Sequence, residues 1–594
     1  MNIDSLEDWK RSHDCGALRI ENSGQEAVLM GWVNTRRDLG NLIFIDLRDR
    51  GGITQIVFDP QLDKETHERA HLLRNEWVIA CRGKVFSRLK GQENSELDTG
   101  DVELHVTGLK ILNITEVPPF QVDGMVDASE TLRLKYRYLE LRRPGIFRNF
   151  YRRHLIAANI RKYFNKNGFL EVETPVLTKS TPEGARDYLV PSRVKKGAFY
   201  ALPQSPQLFK QLLMLSGFDR YYQIVRCFRD EDLRADRQPE FTQVDVEMSF
   251  ANEEIVMNVF EDMIKKLFKE VLDIEISDIP RLEYSEAIDR FGTDRPDTRF
   301  HMELRDISSL VKNSGFKVFQ SVIDSHGTVR AICVKDAATI FSRKILDELT
   351  EKVNEYGAKG LAWIKVNDEG WQSPIAKFFK ESEREAISRR MEASANDLIL
   401  IIADKPCVVF QSLGMLRVEA AQRLGLIEEG EYSFLWVTSF PLFEYDEEEE
   451  SLNAVHHPFT APFEEDLALL KDHPEKVRSR SYDLVLNGTE IGGGSVRIHN
   501  ISLQEEIFRS LGLSKEDADM KFGFFLEALK YGAPPHAGMA IGFDRLVAIM
   551  SGVDSIREVI AFPKTASAIC PLTDAPSLVD DAQLEELGLK ILAD

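Results

Sequence analysis

Cysteine is scarce in this 594-residue chain, and no two cysteines are spaced as a CxxC pair. The six are Cys15, Cys81, Cys227, Cys333, Cys407 and Cys570. Such scattered positions argue against a disulfide framework or a zinc site, and they fit a reducing compartment. The sequence also lacks an apolar run long enough to cross a bilayer and an apolar N-terminal segment flanked by basic residues. We therefore expect a globular protein of the cytoplasm.

Positive charge is in deficit as well. Lys and Arg number 75 against 97 Asp and Glu, so the formal net charge is -22. Because contacts to phosphate need cations, this balance alone argues against a nucleic-acid partner. Residues 135–162 are the exception, since nine Lys and Arg occur there against Glu140 alone. A local basic face of this kind can bind an anion, although a solvated helix face gives the same pattern.

Five β-rich runs with turn signals between them occupy the N-terminal part of the chain. They span residues 27–33, 42–46, 53–58, 77–84 and 102–114. Five short strands within about 100 residues predict a small barrel of the OB type, a common binder of single-stranded nucleic acid. Other small barrels share this pattern, so the pattern alone leaves them open.

Beyond two adjacent prolines at positions 118 and 119, helix and strand patterns are mixed, which predicts an α+β fold. Helical spacing of apolar residues covers residues 145–167, and further helices are predicted at residues 207–216, 252–273 and 541–551. Strand-like runs cover residues 434–443 and 482–500, and residues 300–425 form a mixed α/β stretch. A short polar tail ends the chain.

Arginines and carboxylates alternate from Phe228 to Gln243, just before a predicted strand that contains Asp245 and Glu247. An Arg side chain can bind phosphate oxygens in a bidentate way, and carboxylates can hold magnesium or a substrate ammonium group. On composition alone, however, a surface loop with compensating charges explains this segment better.

Two glycine-containing segments are further candidates. Residues 538–545 form a Gly-x-x-x-Gly segment that we expect to open a helix, where backbone amides favour an anion. This spacing is more often a packing contact than a nucleotide site. Residues 487–497 contain a Gly-rich turn that is expected to bring Glu490 near Arg497.

In this order, the segments resemble the signature motifs of the class II aminoacyl-tRNA synthetases. Motifs 1, 2 and 3 are matched by residues 168–175, 228–241 and 538–545. The amino-acid pocket of the aspartyl branch of this family is matched by residues 181–188, 204–210 and 243–247. The resemblance covers nearly the whole chain, and it implies an antiparallel catalytic sheet flanked by helices.

The resemblance also implies a domain order. An OB-type anticodon-binding domain is expected in residues 1–117 and a hinge in residues 118–144. The catalytic domain is expected in two parts, residues 145–298 and 429–565. An α/β insertion domain, which bacterial aspartyl enzymes share with an amidotransferase subunit, is expected in residues 299–428, and a C-terminal extension in residues 566–594.

Members of this family activate an amino acid with ATP and magnesium before transferring it to tRNA. By resemblance, Arg229 holds the α-phosphate and the attacking carboxylate, Arg545 holds the γ-phosphate, and Glu490 completes the catalytic group. Magnesium is assigned to Asp483 and Glu490. The other residues assigned to ATP are Asp230, Glu231, Gln238, Gly542, Phe543 and Asp544.

The side chain of L-aspartate needs cations, and the resemblance assigns Lys210 and Arg497 to it. His456, if protonated, would add positive charge, although His456 and His457 are otherwise explained as structural histidines. Arg229 also belongs to this pocket. The acceptors assigned to the substrate ammonium group are Glu183, Ser205, Gln207 and Asp245. Asparagine would leave buried cations unpaired, which would exclude it without an editing domain.

In the barrel, Phe44 matches a residue that stacks on an anticodon base, and Gln55 and Glu103 match residues that hydrogen-bond base edges. Arg36 and Arg37 would meet phosphates. Because Phe44 lies in an alternating strand, packing in the barrel core is the alternative interpretation of this residue.

The sequence is divided on which tRNA is charged. Some bacterial aspartyl enzymes charge tRNA-Asn as well as tRNA-Asp, and an amidotransferase then converts the product. Leu39 looks like the discriminating form of one barrel loop. Gly91 resembles the relaxed form of another, because a small flexible residue constrains the neighbouring base less.

The resemblance further implies a homodimer through motif 1, with apolar surface supplied by the helix predicted at residues 145–167. The nearest rivals are an asparaginyl- or lysyl-tRNA synthetase of the same subclass and a non-catalytic tRNA-binding paralogue. Lys210 and Arg497 favour an acidic substrate over the first two. The presence of Arg229, Glu490 and Arg545 argues against the paralogue, which usually loses some of them.

Overall fold

The computed structural model describes residues 3–124, 127–181, 184–231, 237–428, 430–446 and 450–592. The chain divides into two compact units. The first contains residues 1–151, 561–565 and 569–576, and the second contains residues 152–560, 566–568 and 577–594. Within the described ranges, no helix is both long enough and apolar enough to cross a membrane.

The first unit contains a closed five-stranded barrel, as the sequence predicted. Its strands are β1 (Glu26–Leu39), β2 (Leu42–Asp49), β3 (Gly52–Phe58), β4 (Val78–Ser87) and β5 (Val102–Asn113), paired in the order β1-β2-β3-β5-β4. Helix α1 (Lys64–Ala70) precedes β4, and the side chain of Asp63 caps it by accepting a hydrogen bond from the backbone N–H of Thr66. Closure of the barrel leaves no free sheet edge.

Alternation along β2 decides which side chains fill the barrel. Ile43, Ile45 and Leu47 point inward and are at most 1% exposed. Phe44 and Asp46 therefore point outward, because successive side chains of a strand lie on opposite faces. Phe44 is half-buried on the outer face and is absent from the barrel core, so the alternative of core packing is wrong.

The basic stretch of the sequence lies on three helices, α2 (Glu130–Lys135), α3 (Arg137–Glu140) and α4 (Pro144–Lys166). Much of its charge is neutralised within the chain. Arg137 donates to the buried carboxylate of Glu140 at 2.6 Å, and so does Arg133, which lies just before the stretch. Arg142 donates to Glu76 at 3.0 Å. The excess of cations is thus used largely in structural ion pairs rather than on one free basic face.

The second unit contains the remaining strands and helices. The strands are β6 (Leu170–Glu171), β7 (Leu189–Pro191), β8 (Phe199–Ala201), β9 (Arg220–Phe228), β10 (Glu240–Ser249), β11 (Arg281–Glu283), β12 (Arg305–Asp306), β13 (Thr328–Val334), β14 (Ala362–Asn367), β15 (Gly370–Gln372), β16 (Leu398–Asp404), β17 (Phe434–Thr438), β18 (Phe443–Asp446), β19 (Ser451–Ala454), β20 (Ser481–Leu486), β21 (Thr489–Val496) and β22 (His536–Gly542). The helices are α5 (Gln207–Leu215), α6 (Glu253–Leu272), α7 (Tyr284–Phe291), α8 (Ser308–Val311), α9 (Lys317–Asp324), α10 (Arg343–Glu355), α11 (Glu381–Arg390), α12 (Pro406–Arg423), α13 (Ile501–Ser510), α14 (Lys515–Leu529), α15 (Phe543–Ser551) and α16 (Asp581–Leu587).

Eight of these strands form the main sheet, in the order β11-β17-β20-β21-β22-β10-β9-β6. All neighbouring pairs are antiparallel except the two at the edges, so the predicted antiparallel sheet is confirmed. Val244, Val246 and Met248 of β10 pack into one core with α4 and α6. The opposite face of the same strand carries polar side chains, and the cleft described below lies over that face.

Two predicted runs are each divided in the structure. The run at residues 434–443 is broken after β17, where Ser439 has a φ of 59°. The run at residues 482–500 is a hairpin of β20 and β21, turned by Asn487 and Gly488 with φ of 52° and 76°. An Asn-Gly pair with positive φ at both positions is the favoured two-residue hairpin turn.

The stretch predicted as mixed α/β contains its own five-stranded sheet, in the order β12-β13-β16-β14-β15. Alternate residues of β13 and β16 point into two separate apolar cores, one on each face. Helices α10 and α12 cover one face, and α8, α9 and α11 cover the other. The α/β character of this stretch is confirmed, while the limits at residues 299 and 428 remain predictions. The short polar tail contains helix α16.

Candidate active site

A cleft of about 360 Å³ lies over the polar face of the main sheet. Strand β10 supplies Gln243 and Asp245 to its floor, β22 supplies Ala540 and Gly542, and β21 supplies residues 490–495. These positions follow from the register, because Gln243 pairs with Gly542 and Asp245 with Ala540 across β10 and β22. A cleft with a flat β-sheet floor and charged walls can hold a large polar ligand.

Four charged side chains form a buried network at one end of the cleft. Lys210 of α5 donates to Asp245 at 2.6 Å and lies 3.3 Å from Glu247. Arg497 donates to both carboxylate oxygens of Glu247, at 2.9 and 3.0 Å. All four side chains are at most 2% exposed. Two cations and two carboxylates thus balance in a site that excludes water.

Glu247 is a residue that the sequence analysis quoted but assigned to no role. It lies two and four residues after Asp245 and Gln243 on β10, so all three share one face of the sheet. The alternation of side chains along β10 was therefore enough to predict that Glu247 lies on the same face as Gln243 and Asp245. By binding both Arg497 and Lys210, Glu247 fixes the positions of the two cations assigned to the substrate side chain.

The two carboxyls of this network have opposite pKa shifts. Burial raises the pKa of Asp245, because Lys210 offsets only part of the cost of desolvation. Burial acts in the same direction on Glu247, but Arg497 and Lys210 outweigh it and lower its pKa. The Oδ2 atom of Asp245 is buried and has no hydrogen-bond partner among the described residues. This oxygen is available to accept a hydrogen bond from a ligand.

His456 and His457 lie at the cation end of the cleft. Burial, and secondarily the charge of Arg497, lowers the pKa of His456 to about 4. The same causes hold the pKa of His457 well below its ordinary value, and Arg497 donates to its Nε2 atom at 2.7 Å. Both rings are therefore neutral near pH 7 in this structure. The idea that a protonated His456 adds positive charge does not fit this environment.

Arg229 and Arg545 approach the middle of the cleft from different elements. Arg229 follows β9, and its guanidinium group lies 5.2 Å from the centre of the Phe241 ring. Its Nε atom is buried and has no partner within the described part of the chain. Arg545, on the first turn of α15, donates to the backbone oxygen of Glu490. Both guanidinium groups line the cleft, as a ligand rich in phosphate requires.

Glycines in the cleft lie in strands, which differs from the predicted turn and the predicted helix start. Gly493 and Gly494 are in β21, and Gly538 is in β22. A Cβ atom on Gly493 would lie 2.4 Å from Oδ1 of Asp483, and one on Gly538 would lie 1.9 Å from Oε2 of Glu247. The helix begins only at Phe543. Glycine is therefore required here because the charged side chains pass directly over the strands.

Asp483 of β20 and Glu490 of β21 form a carboxylate pair on the cleft wall. Burial, then repulsion from Glu490 and Asp294, raises the pKa of Asp483 well above its ordinary value. Its Oδ1 atom is buried without a partner among the described residues. Unshared carboxylate oxygens facing each other suit a hard divalent cation such as magnesium. The described residues contain no group of three or more His, Cys, Asp or Glu that could hold a metal by themselves.

The residues predicted to read an anticodon form a connected strip on the outer face of the barrel. Arg37 donates to Gln55 at 3.2 Å, and Gln55 donates to Glu103 at 2.9 Å. Glu103 also contacts Nε2 of His105 at 2.8 Å. Phe44 lies beside Arg37 in the β1–β2 register. The barrel thus places all four predicted residues on one surface.

Three other predicted barrel residues lie outside this strip, namely Arg36 and Leu39 on β1 and Gly91 between β4 and β5. Arg36 donates to Asp38 and to the backbone oxygen of His71, so its guanidinium group is engaged within the chain. Leu39 ends β1 and is 63% exposed. Gly91 has a φ of 87°, and no atom lies within 4 Å of the position that a Cβ would occupy.

The chain matches two protein families over most of its length. Residues 129–566 match the family described as tRNA synthetases class II (D, K and N), and residues 27–112 match an OB-fold nucleic-acid-binding domain. The aspartate–tRNA(Asp/Asn) ligase of Desulfatibacillum aliphaticivorans is 57% identical over 593 residues, which is 100% of this chain and 99% of the relative. The chain belongs to the class II aminoacyl-tRNA synthetases, in the aspartate–tRNA ligase family. It is an aminoacyl-tRNA ligase that uses ATP, as the sequence predicted.

Two further comparisons place this synthetase among its relatives. The aspartate–tRNA ligase of Staphylococcus epidermidis is 55% identical over 584 residues, 98% of this chain and 99% of the relative. The crystal structure of asparaginyl-tRNA synthetase from Pyrococcus horikoshii complexed with asparaginyl-adenylate has a TM-score of 0.58 at 18% identity. That alignment covers 94% of this chain and 98% of the other. It supports the fold alone.

Most of the residues predicted for the active site of this synthetase line the cleft. They are Ser205, Gln207, Lys210, Arg229, Glu231, Gln238, Asp245, His456, Asp483, Glu490, Arg497, Gly542, Asp544 and Arg545. Asp230 and Phe543 are not among the residues that line it, and Glu183 lies outside the described residues. Phe543 packs in the core instead.

Asp544 lines the cleft, but its carboxylate is engaged within the protein. It accepts hydrogen bonds from Arg153 at 2.5 Å and from the backbone N–H of Thr242 at 2.7 Å. We therefore expect it to hold α15 against β10 rather than to contact ATP. The sequence analysis assigned no role to Glu247, and it also assigned none to Phe241 and Arg237, both of which line the cleft. Arg237 pairs with Glu231 at 2.9 Å.

Proposed function

We propose that this synthetase activates L-aspartate and transfers it to tRNA-Asp. The observation that carries the proposal is the buried network of Lys210, Arg497, Asp245 and Glu247. A substrate with one carboxylate side chain and one ammonium group complements it, because the carboxylate meets two cations and the ammonium group meets the unshared Oδ2 of Asp245. Ser205 and Gln207 line the same region and supply neutral acceptors.

The same network disfavours the two nearest alternative substrates. The amide of asparagine carries no charge, so its hydrogen bonds to the two cations would be weaker than those of the aspartate carboxylate. A lysine side chain would bring a third cation to the site, and like charges in a dry pocket repel strongly. Selection against both follows from the geometry of four side chains and needs no editing domain.

In the first step, a carboxylate oxygen of aspartate attacks the α-phosphorus of ATP. The bond to the bridging oxygen breaks, and pyrophosphate leaves with that electron pair. Arg229 is suited to hold the α-phosphate and the attacking carboxylate together, while Arg545 holds the γ-phosphate. Glu231 and Gln238, which the resemblance assigns to adenine, line the same cleft, and the ring of Phe241 lies beside Arg229. Catalysis then comes from orientation and from neutralisation of developing charge.

Asp483 and Glu490 fit a magnesium ion, because their oxygens are close, repel each other and include one without a partner. Magnesium would neutralise phosphate charge when bound. The part of this chain is to present the two carboxylates from neighbouring strands, which the glycine at position 493 allows by leaving room for Asp483.

In the second step, the 3′-hydroxyl of the terminal adenosine of the tRNA attacks the carbonyl carbon of the adenylate, and AMP leaves. The phosphate of the adenylate can accept the hydroxyl proton, so we assign no protein base. The barrel would read the anticodon through Phe44, Gln55 and Glu103, with Arg37 near the backbone. The match to an OB-fold nucleic-acid-binding domain supports this assignment.

We further propose that tRNA-Asn is charged as well. One relative at 57% identity is named for both tRNAs, whereas another at 55% is named an aspartate–tRNA ligase without either tRNA specified, so overall similarity does not separate the two. Gly91 favours relaxed recognition, since the space beside it is open. Leu39, which resembles the discriminating form, is the one feature that favours strict recognition of tRNA-Asp. An amidotransferase acting on the aspartyl group of the mischarged tRNA would then be a functional partner.

A homodimer through motif 1 is also proposed. Ile156, Ile160 and Phe164 are fully buried within their own chain, so they do not supply the surface that the sequence analysis expected from this helix. Exposed apolar side chains in this region are Phe147 and Tyr151 of α4, exposed by 38% and 56%, and Leu170, Val176 and Leu177 in or just after motif 1, exposed by 52%, 48% and 52%. Sedimentation of a 67.7-kDa monomer at micromolar concentration would contradict the dimer.

ATP–pyrophosphate exchange with aspartate, asparagine and lysine in turn tests the proposed activity. We expect exchange with aspartate and at most about 1% of that rate with the other two, since a charge left unpaired in a buried site costs several kcal/mol. Faster exchange with asparagine or lysine would assign the chain to a rival of the same subclass. Exchange with none of the three would favour the non-catalytic paralogue.

A further inference from the structure

An aromatic pair on the barrel has no role in the function proposed above. Phe86 of β4 is 41% exposed, although it follows the buried core residue Val85. Its ring lies 4.7 Å from the ring of His105 on β5, at an angle of 54°. Because Phe86 points away from the barrel core, it contributes little to packing of that core, and its pairing with His105 gives the ring a defined position on the outer face.

Strand register places this pair in line with the predicted anticodon residues. Phe44 of β2 pairs with Val57 of β3, and Val57 pairs with His105 of β5. On the next strand, Phe86 pairs with Glu103. The aromatic pair is therefore two to three strand spacings from Phe44, roughly 10–15 Å along the same outer face.

Hydrogen bonds connect the two ends of this face. Gln55 donates to one oxygen of Glu103, and His105 contacts the other. Burial would raise the pKa of Glu103, but the contacts with His105 and Gln55 outweigh it and lower the pKa. Glu103 is thus ionised at neutral pH and fixes the edge of the His105 ring. The side chain of Phe86 lies beside that ring and is partly exposed.

Cations lie next to the pair, although the chain as a whole is acidic. Lys84 pairs with His105 in the β4–β5 register, and its Nζ atom is 5.9 Å from the centre of the Phe86 ring. Arg88 follows on the same chain segment and contributes to the lowered pKa of Glu103. An aromatic surface flanked by cations is the arrangement that binds single-stranded nucleic acid.

We propose that Phe86 and His105 form a second stacking site, which binds one more base of the tRNA anticodon loop beyond the bases contacted by Phe44, Gln55 and Glu103. The inference rests on the proposed reading of the anticodon by the barrel. Stacking tolerates any base, because every base has a π-face. This second stacking site would therefore increase the affinity for tRNA and help to position the anticodon loop, without adding discrimination between tRNAs.

The test uses tRNA transcripts with 2-aminopurine at single positions of the anticodon loop, whose fluorescence is quenched by stacking. We expect one position to lose its quenching in Phe86→Ala but not in Phe44→Ala, and a different position to show the reverse. The dissociation constant for tRNA should rise about tenfold in Phe86→Ala, within the range for loss of one stacked base. Phe86→Trp should restore binding, and Phe86→Leu should not.

Ile114→Ala is the matched control. Ile114 is exposed by 44%, similar to Phe86, but it lies beyond the other end of β5, roughly 30 Å from His105 along the strand. We expect no change in tRNA binding from it. Circular dichroism and thermal unfolding report whether each variant is folded, and aspartate-dependent pyrophosphate exchange, which needs no tRNA, reports whether the catalytic unit is intact.

Two results would overturn the inference and are distinguishable from failure of the proposed function. If Phe44→Ala weakens tRNA binding and Phe86→Ala does not, the barrel reads the anticodon without a second stacking site. If Phe86→Leu binds tRNA as well as Phe86→Trp, the contact with tRNA needs only an apolar side chain and is not a stacked base. If neither Phe44→Ala nor Phe86→Ala affects binding, the proposed anticodon reading itself is wrong.

Discussion

The cleft and the barrel strip both consist of connected charged and polar side chains, but their burial differs sharply. Lys210, Asp245 and Arg497 in the cleft are at most 2% exposed. In the strip, the side chain of Arg37 is 53% exposed and that of Glu103 is 18% exposed. The cleft holds its charges in a dry, fixed arrangement, whereas the strip keeps them partly in water.

This difference determines how each region can recognise a ligand. Removing one partner from a buried ion pair leaves an uncompensated charge and costs about 3–5 kcal/mol, while an exposed pair contributes about 0–1 kcal/mol. A single substitution in the cleft should therefore have a large effect on activity. Substitutions in the strip should act in small steps that sum over several contacts, and the four predictions below test this contrast.

The largest effect is expected from the arginines of the cleft. Arg229→Ala or Arg545→Ala should lower aspartate-dependent ATP–pyrophosphate exchange by about 10²–10³, because each removes a preorganised charge on the reacting phosphates. Arg226→Ala is the control, since Arg226 precedes Arg229 on β9 but pairs at the surface with Glu240. Near-normal exchange in Arg229→Ala or Arg545→Ala would refute the assignment.

A smaller loss is expected when Glu247 loses its charge but keeps its shape. Glu247→Gln should lower kcat/KM for aspartate about 10- to 100-fold, because the charge-assisted interaction that positions Arg497 and Lys210, worth about 1.5–3 kcal/mol, is lost. Steady-state exchange at varied aspartate measures it. Glu240→Gln on the same strand should change little, since its partner Arg226 is partly exposed. Equal behaviour of the two variants would mean that burial does not distinguish them.

The strip should respond more weakly and in only one of two assays. Phe44→Ala and Gln55→Ala should each raise KM for tRNA about 5- to 100-fold, because one stacked base contributes about 1–3 kcal/mol. Aspartate activation should stay within about twofold of the parent, since the strip and the cleft belong to different units of the chain. Parallel losses in both assays would show that the barrel serves stability rather than tRNA reading.

The sequence was sufficient for features that depend on local periodicity. The five barrel strands follow from alternation, and the order of the three motifs predicted the antiparallel sheet and most residues of the cleft. Glu247 could have been found in the same way, because it continues the period of two from Gln243 and Asp245. Its partners could not, since Arg497 is 250 residues away in the chain.

Close approach between strands was beyond the reach of sequence patterns. Glycines at positions 493 and 538 looked like a turn and a helix start, because flexibility is the commonest use of glycine. Their real cause is a side chain from a neighbouring strand, Asp483 or Glu247, which occupies the space of a Cβ. The basic stretch misled for a similar reason. Its partner Glu76 precedes it by more than fifty residues.

The smallest effect tests how finely the exposed strip can discriminate between tRNAs. Gly91→Lys should lower the charging of tRNA-Asn relative to tRNA-Asp by about 3- to 10-fold, because a long side chain in open space can contact, and so constrain, the neighbouring anticodon base. The substitution also forces a lysine to a φ of 87°, which costs about 1 kcal/mol. Gly24→Lys is the matched control, since Gly24 has a φ of 89° and equally open space on the same unit. It adds the same charge and the same strain, so any general loss appears in both variants and only the ratio of the two tRNAs is informative. Side-by-side charging of purified transcripts measures that ratio. If the parent protein charges tRNA-Asn orders of magnitude more slowly than tRNA-Asp, and Gly91→Lys leaves the ratio unchanged, then Leu39 rather than Gly91 describes this synthetase, and an exposed strip can be as selective as a buried cleft.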